Sequence, residues 1–358
     1  MDKFVILAIN PGSTSTKISV SHNEKSVFLK TIRHSIEELD EFEKITDQFE
    51  FRKNIIMEEL KKAEICIDKI SAVVGRGGLI KPVEGGVYEV NNRLKEDLEI
   101  GVMGDHASNL GGLIADSIAR TIHGARAFIA NPVVVDELQD VARISGHPEI
   151  ERISIFHALN QKAIAQQFAK SRATKYEELN LIVAHLGGGI SVGAHYRGKV
   201  IDVNNALDGD GPFSPERSGS LPAGQLARLC FSEKYSYSDV KKMITGKGGL
   251  VAYMGTNSAY EVEKMVNDGN QKAKLIQDAM AYQIGKAIGE MATVLYGEVH
   301  GILLTGGVAN NRDLVSYIRN MVSFIAPVFV YPGEDEMASL TMNGLMVLKG
   351  EVECKVYD

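Results

Sequence analysis

Residues 5–17 read VILAINPGSTSTK, and residues 181–194 read LIVAHLGGGISVGA. In each, an apolar run long enough for a buried strand breaks into a turn of small residues and resumes with strand-like alternation. A third strand follows both times: the polar turn 22–25 leads into 26–29, and Tyr196-Arg-Gly-Lys199 leads into 200–203. The repeated strand–turn–strand–turn–strand opening predicts one fold used twice.

Other elements are legible outward from these hairpins. Ser35-Ile-Glu-Glu38 is a capping box opening a charged amphipathic region to about residue 62. Strands are predicted over 70–74, 127–130, 302–305 and 328–331. Helices are predicted over 103–120, 156–170, 273–296, from the caps Asn310 and Asn311 to 321, and over 337–348. Strands alternating with helices imply an α/β class. No low-complexity linker separates the halves, so two closely associated lobes with a cleft between them are expected. The predicted boundaries are 1–152 plus 337–358 for the first lobe and 153–336 for the second. The apolar stripe of the 273–296 helix suits either a core or a subunit interface.

Composition excludes several classes. The chain has 358 residues and a net charge of −7, against the basic face that nucleic-acid binding requires. It has no apolar run of membrane-spanning length and no signal-peptide pattern at its start, so neither a membrane nor a nucleic-acid partner is expected. Cys66, Cys230 and Cys354 have no zinc or redox spacing. These features predict a reduced, cytoplasmic protein.

The small-residue turns are candidates for phosphate binding. The segment 12–17 lacks the Walker spacing and continues as a strand, and Gly75-Arg-Gly-Gly78 lacks the third glycine of the dinucleotide fingerprint. A tight turn bearing Gly12, Ser13 and Ser15 still offers N–H groups and hydroxyls to phosphate oxygens. Such turns follow apolar strands three times, at 10–17, at 185–189 and at 306–311. Two hairpins can grip a polyphosphate while a third, Gly-Gly turn passes close to a nucleoside.

This arrangement resembles the actin, sugar-kinase and heat-shock ATPase superfold, with its duplicated ribonuclease-H-like lobes. Within it the sequence is similar to acetate and butyrate kinases, the acetokinase family of short-chain carboxylate kinases. Asn10-x-Gly-Ser-x-Ser-x-Lys17 fits the family's opening signature. Val74-Gly-Arg76-Gly-Gly, Asp105-His106, Asp136, Phe156-His157, His185-Leu-Gly, Arg217-Ser-Gly and Leu304-Thr-Gly-Gly307 follow in the family's order. The likeness covers nearly the whole chain. The blocks 204–219 and 77–86 look like the butyrate-kinase branch.

The resemblance implies reversible phosphorylation of a short-chain fatty acid to an acyl phosphate, with ATP/ADP and Mg2+ as cofactors. The neighbouring activities are kinases for acetate, propionate or isobutyrate, and more remotely a non-catalytic nucleotide switch. It implies Arg76, Asp136, His157 and Arg217 as catalytic residues. Asn10, Gly12, Ser13, Ser15, Lys17, His185, Gly187, Gly189, Gly306 and Gly307 would bind nucleotide. Arg76, Gly78, His106 and Phe156 would bind the carboxylate, and Asn10 and Glu336 the metal side, with Asp335 as the alternative to Glu336. Acetate kinases place a valine two positions after the first arginine. Gly78 stands there, which implies a roomier acyl pocket. Where relatives carry an Asp and a basic residue near the adenosine, this chain has Ser258 and Tyr260. Relatives form homodimers or larger homo-oligomers, and the same is expected here.

Overall fold

The first apolar run forms strand β1 (Val5–Pro11), buried along its whole length. A strand apolar on both faces belongs inside a sheet covered by helices on each side. The computed structural model, which describes residues 3–358, places it there. Strand β2 (Ser15–His22) pairs antiparallel with β1, and β3 (Lys25–Arg33) pairs antiparallel with β2. Strands β4 (Ala72–Arg76), β5 (Val87–Glu89) and β6 (Arg126–Ala130) complete a six-stranded sheet, ordered β3-β2-β1-β4-β6-β5. Strands β1, β4 and β6 run parallel.

The second sheet repeats the plan. Strands β7 (Asn180–Leu186), β8 (Ile190–Tyr196), β9 (Lys199–Val203), β10 (Gly301–Gly306) and β11 (Val328–Pro332) are ordered β11-β10-β7-β8-β9. Exchanging β1, β2, β3, β4 and β6 for β7, β8, β9, β10 and β11 turns one order into the other, with β5 as an added edge strand. The duplication expected from the hairpins is therefore present in the topology.

Alternation along the central strands sorts the helices. Leu7 and Ile9 face the helices Phe49–Lys62 and Asn109–Ala119 through Ile56, Leu60, Leu110 and Ile114. Ile6 and Val74 face Gly344 of the helix Glu336–Leu348. In the second sheet, Ile182 and Ala184 pack against the helices Gln271–Val294 and Arg312–Val322, while Leu181 and Val183 pack against Ala158–Ser171. The stripe Met280, Ile284, Ile288 and Met291 on Gln271–Val294 is therefore core. Among the described residues no helix is long and apolar enough to cross a membrane.

Contacts divide the chain into one unit of Met1–Val135 with Asp335–Asp358 and a second of Asp136–Glu334. The boundary falls at 135/136, whereas the sequence reading put it at 152/153. The reason is edge protection. Strand β9 lies at the edge of its sheet, and the segment after Asp136 covers it. Gln139 N–H donates to Ile201 O (3.0 Å), Val200 N–H to Glu137 Oε2 (2.7 Å) and Arg152 Nη2 to Asp202 Oδ1 (2.8 Å).

Candidate functional site

In the first unit, the turn after β1 is organised from beneath by a side chain the sequence did not mark. Arg52 is fully buried. Its Nη1 donates to Gly12 O (2.8 Å), Ser15 O (3.2 Å) and Thr16 Oγ1 (3.0 Å), and its Nη2 to Ser13 O (3.2 Å). Gln48 Oε1 takes Nε and Nη2 at 3.0 and 2.8 Å. His34 N–H donates to Thr14 O at 2.9 Å. With its carbonyls engaged in this way, the turn leaves the N–H groups of Ser13 and Thr14 without a partner among the described residues, and both residues are exposed. An anion is the ligand that such a turn suits. Burial holds the Arg52 pKa down to about 10, so the guanidinium stays charged at neutral pH. Burial, and then the charge of Arg52, push His34 below the usual histidine range.

Register builds the next row. Lys17 lies opposite Asn10 in the β1–β2 ladder and is exposed, so both side chains leave the same face. At the end of β4, Arg76 Nη1 lies 3.3 Å from Asn10 Oδ1 and 3.0 Å from Glu336 Oε1. Asn10 Nδ2 donates to Glu336 Oε2. Asp335, the alternative acid, instead caps its helix by accepting Ala338 N–H at 2.8 Å. A carboxylate and an amide oxygen are donor types that Mg2+ takes beside waters and phosphate oxygens, and here both are shared with Arg76. No group of three or more His, Cys, Asp or Glu among the described residues forms a full protein cage.

His106 Nδ1 lies 2.9 Å from Ser108 Oγ. Desolvation, and then the charge of Arg76, lower its pKa. Gly78 does not itself open onto free space. A Cβ at Gly78 would stand 2.6 Å from Asn109 Cα and 2.7 Å from Leu98 Cδ2. The space a valine would need is taken by the start of the Asn109–Ala119 helix, held in place as Leu79 N–H donates to Asn109 Oδ1 at 2.8 Å. Two open hollows of this unit, beside Lys95 and Asp116 and beside Asn54 and Lys61, contain none of the candidate residues.

In the second unit, the matching row is Ser191, His185 and Thr305, paired across β8, β7 and β10. His185 is buried, with Nδ1 2.9 Å from Asn160 Oδ1 and Nε2 3.1 Å from Glu334 Oε1. The His157 ring stacks on it, with centroids 3.9 Å apart. His157 is the N-cap position of Ala158–Ser171, and its Nδ1 lies 2.9 Å from Ser191 Oγ.

The turn 187–189 is strapped by the loop that carries Arg217. Ser214 Oγ donates to Gly188 O (2.6 Å) and Glu216 N–H to the same oxygen (3.3 Å). Arg217 lies over Gly189, where a Cβ would sit 1.9 Å from Nη1, and Nη1 donates to Ala206 O. Its Nε is buried with no partner among the described residues. A half-used guanidinium beside a glycine turn is a ready anion ligand. Gly306 has φ +92°, and a Cβ there would meet Leu186 O at 2.3 Å, whereas Gly307 faces open space.

Asp136 has a local partner. Asp136 is held bidentately by Arg143 at 2.6 and 2.8 Å, and this pairing raises the Arg143 pKa. Phe156 is buried. Ser258 caps the Ala259–Asn267 helix by accepting Glu261 N–H at 3.1 Å, and Tyr260 is exposed. Besides Arg52, sequence reasoning missed Gln161, His195 and Tyr176, which back the His157 side. A buried Gln or His carries no local pattern that marks it.

Comparison with known proteins finds relatives along nearly the whole chain. The model of the acetokinase family matches residues 149–325. Butyrate kinase 2 of Clostridium acetobutylicum is 57% identical over 355 residues, covering 99% of this chain and 99% of that protein. A probable butyrate kinase of Bacteroides thetaiotaomicron is 54% identical over 352 residues, covering 98% and 99%. Among solved structures, Porphyromonas gingivalis acetate kinase superposes with TM-score 0.76 at 20% identity, covering 96% of this chain and 100% of that one. A propionate kinase from Francisella tularensis gives TM-score 0.73 at 18% identity, covering 95% and 98%. At these identities the solved structures speak to the fold, which is the two-lobed one.

Proposed function

We propose that this chain, which belongs to the acetokinase family, transfers the terminal phosphoryl group of ATP to a short-chain carboxylate, butyrate foremost, and runs the reverse reaction from acyl phosphate and ADP. The observation that carries this reading is the Arg76 guanidinium at the end of β4, 3.0 Å from Glu336 Oε1 and beside Asn10. It is a planar cation suited to both a carboxylate and a phosphoryl group. The carboxylate oxygen attacks the γ-phosphorus in line as the bond to the β-phosphate oxygen breaks, and ADP leaves. A carboxylate is already ionised at neutral pH, so the acceptor needs no general base. The protein's task is placement and positive charge around the equatorial oxygens.

In this reading the N–H groups of Ser13 and Thr14, with Lys17, hold nucleotide phosphates. The Gly187–Gly189 turn and Arg217 hold them in the second lobe, and Gly306 and Gly307 pass beside the nucleoside. His157 donates to the transferring group. Glu336 and Asn10 would hold Mg2+, which neutralises phosphate charge when bound. The preference for butyrate rests on the named relatives and takes no support from Gly78.

Trapping of acyl phosphate as hydroxamate, with ATP, Mg2+ and a panel of C2–C6 acids, tests the reading. Product is expected with butyrate at the highest kcat/KM, and Arg76→Ala is expected to lose roughly a hundredfold or more. Absence of product with every acid would sink the reading, and a wild-type rate for Arg76→Ala would sink the clamp.

A further inference from the structure

Five side chains of the second unit form a hydrogen-bonded chain that ends on His157. Tyr176 OH lies 2.6 Å from His195 Nδ1, and His195 Nε2 lies 2.9 Å from Gln161 Oε1. Gln161 Nε2 donates to Ser191 Oγ at 2.8 Å, and Ser191 Oγ lies 2.9 Å from His157 Nδ1. Ser191, Gln161 and His195 are 0% exposed, so water cannot complete their hydrogen bonds.

The direction of every proton follows from one fixed point. Gln161 Nε2 also lies 3.1 Å from the backbone oxygen of Ser191. That oxygen only accepts, so the amide can face it only with its NH2 group. Gln161 Oε1 therefore faces His195 and accepts from Nε2–H. Burial, and then the nearby Lys162 charge, hold His195 far below the usual histidine pKa, so the ring is neutral and its Nδ1 is a lone pair. Tyr176 must then donate to it.

At the other end, Ser191 Oγ already accepts from Gln161, and His157 N–H approaches it at 3.4 Å. Its own proton has one acceptor among the described residues, His157 Nδ1. The alternative, Nδ1–H pointing at Ser191, would strand a buried hydroxyl proton.

We propose that Ser191, Gln161, His195 and Tyr176 are positioning residues that lock neutral His157 with its proton on Nε2. His157 then presents a hydrogen-bond donor, and not a lone pair, to a phosphoryl oxygen. This rests on the reading of His157 as a contact to the transferring group. It also assigns that contact its role: a donor that stays protonated throughout, as an acceptor needing no base requires.

The test uses the full chain labelled with 15N-histidine. The His157 signals are assigned by their loss in His157→Gln, and the tautomer is read from the two ring-nitrogen shifts above the ring's titration. Nε2–H is expected in the wild type. Ser191→Ala is expected to mix the tautomers and lower kcat about tenfold, the low end of what losing such an orienting bond costs at metal-bound histidines. The KM for ATP should move much less. Ser191→Thr, which keeps the hydroxyl, should restore both readouts. Tyr176→Phe, at the far end, should disturb the His195 shifts. Nδ1–H in the wild type overturns the proposal without recourse to any variant's folding. So does a folded Ser191→Ala protein with unchanged tautomer and kcat. Full turnover by His157→Ala alongside the expected wild-type tautomer would uphold the lock and overturn the role of His157 in the reaction.

Discussion

Arg52 and Gly78 show how differently single residues of the first lobe read from sequence and from structure. Arg52 stands in the run Glu50-Phe-Arg-Lys53, which as sequence is a charged helical surface. Only tertiary structure turns that one cation inward, where the carbonyls of the turn become its ligands. Gln48 is its one local partner, and the turn it holds lies more than thirty positions away. Gly78 fails in the opposite way. Its place in the motif was legible, but the volume it frees is a property of the neighbouring helix. The structure expects Gly78→Val to press on Asn109 and Leu98. Overpacking of this kind costs about 1–3 kcal/mol. Urea unfolding should show that loss, together with a fall in turnover for all acids. Unchanged stability with a clean switch toward acetate would restore the pocket argument.

At the scale of elements, the hairpins were legible because strand periodicity and small-residue turns are local signals. The helix Asn92–Ile100 was missed: it is mostly charged and buries only Leu94, Asp97 and Leu98. Strand β5 is three residues long and too short to show a period. Strand β8 carries a further consequence, through His195. Its folded pKa lies well below the ordinary 6.5 because burial disfavours the charged ring. Below about pH 6.5 the unfolded chain binds a proton that the folded chain refuses. Stability is therefore complete above that pH and declines as pH falls, by up to about 1.4 kcal/mol per pH unit for this one group. His34, shifted the same way, adds to the decline. Urea midpoints measured between pH 7.5 and 5.5 should fall, and more shallowly in His195→Gln. An identical slope in the variant would show that His195 is not the group responsible.

At the scale of the whole molecule, one topology carries two different chemical rows. Lys17, Asn10 and Arg76 in the first sheet correspond in position to Ser191, His185 and Thr305 in the second. The duplication of strands was readable from the two quoted stretches, but the division of labour was not, because it depends on which side chains the register brings side by side. Family membership sets the reaction class, and the rows are the groups that the proposed reading assigns to it. The most direct test is 31P NMR of the intact protein with Mg2+, butyryl phosphate and ADP. The account expects ATP signals to grow in step with the loss of butyryl phosphate. Release of inorganic phosphate without ATP, or butyryl phosphate left unconsumed, would contradict it.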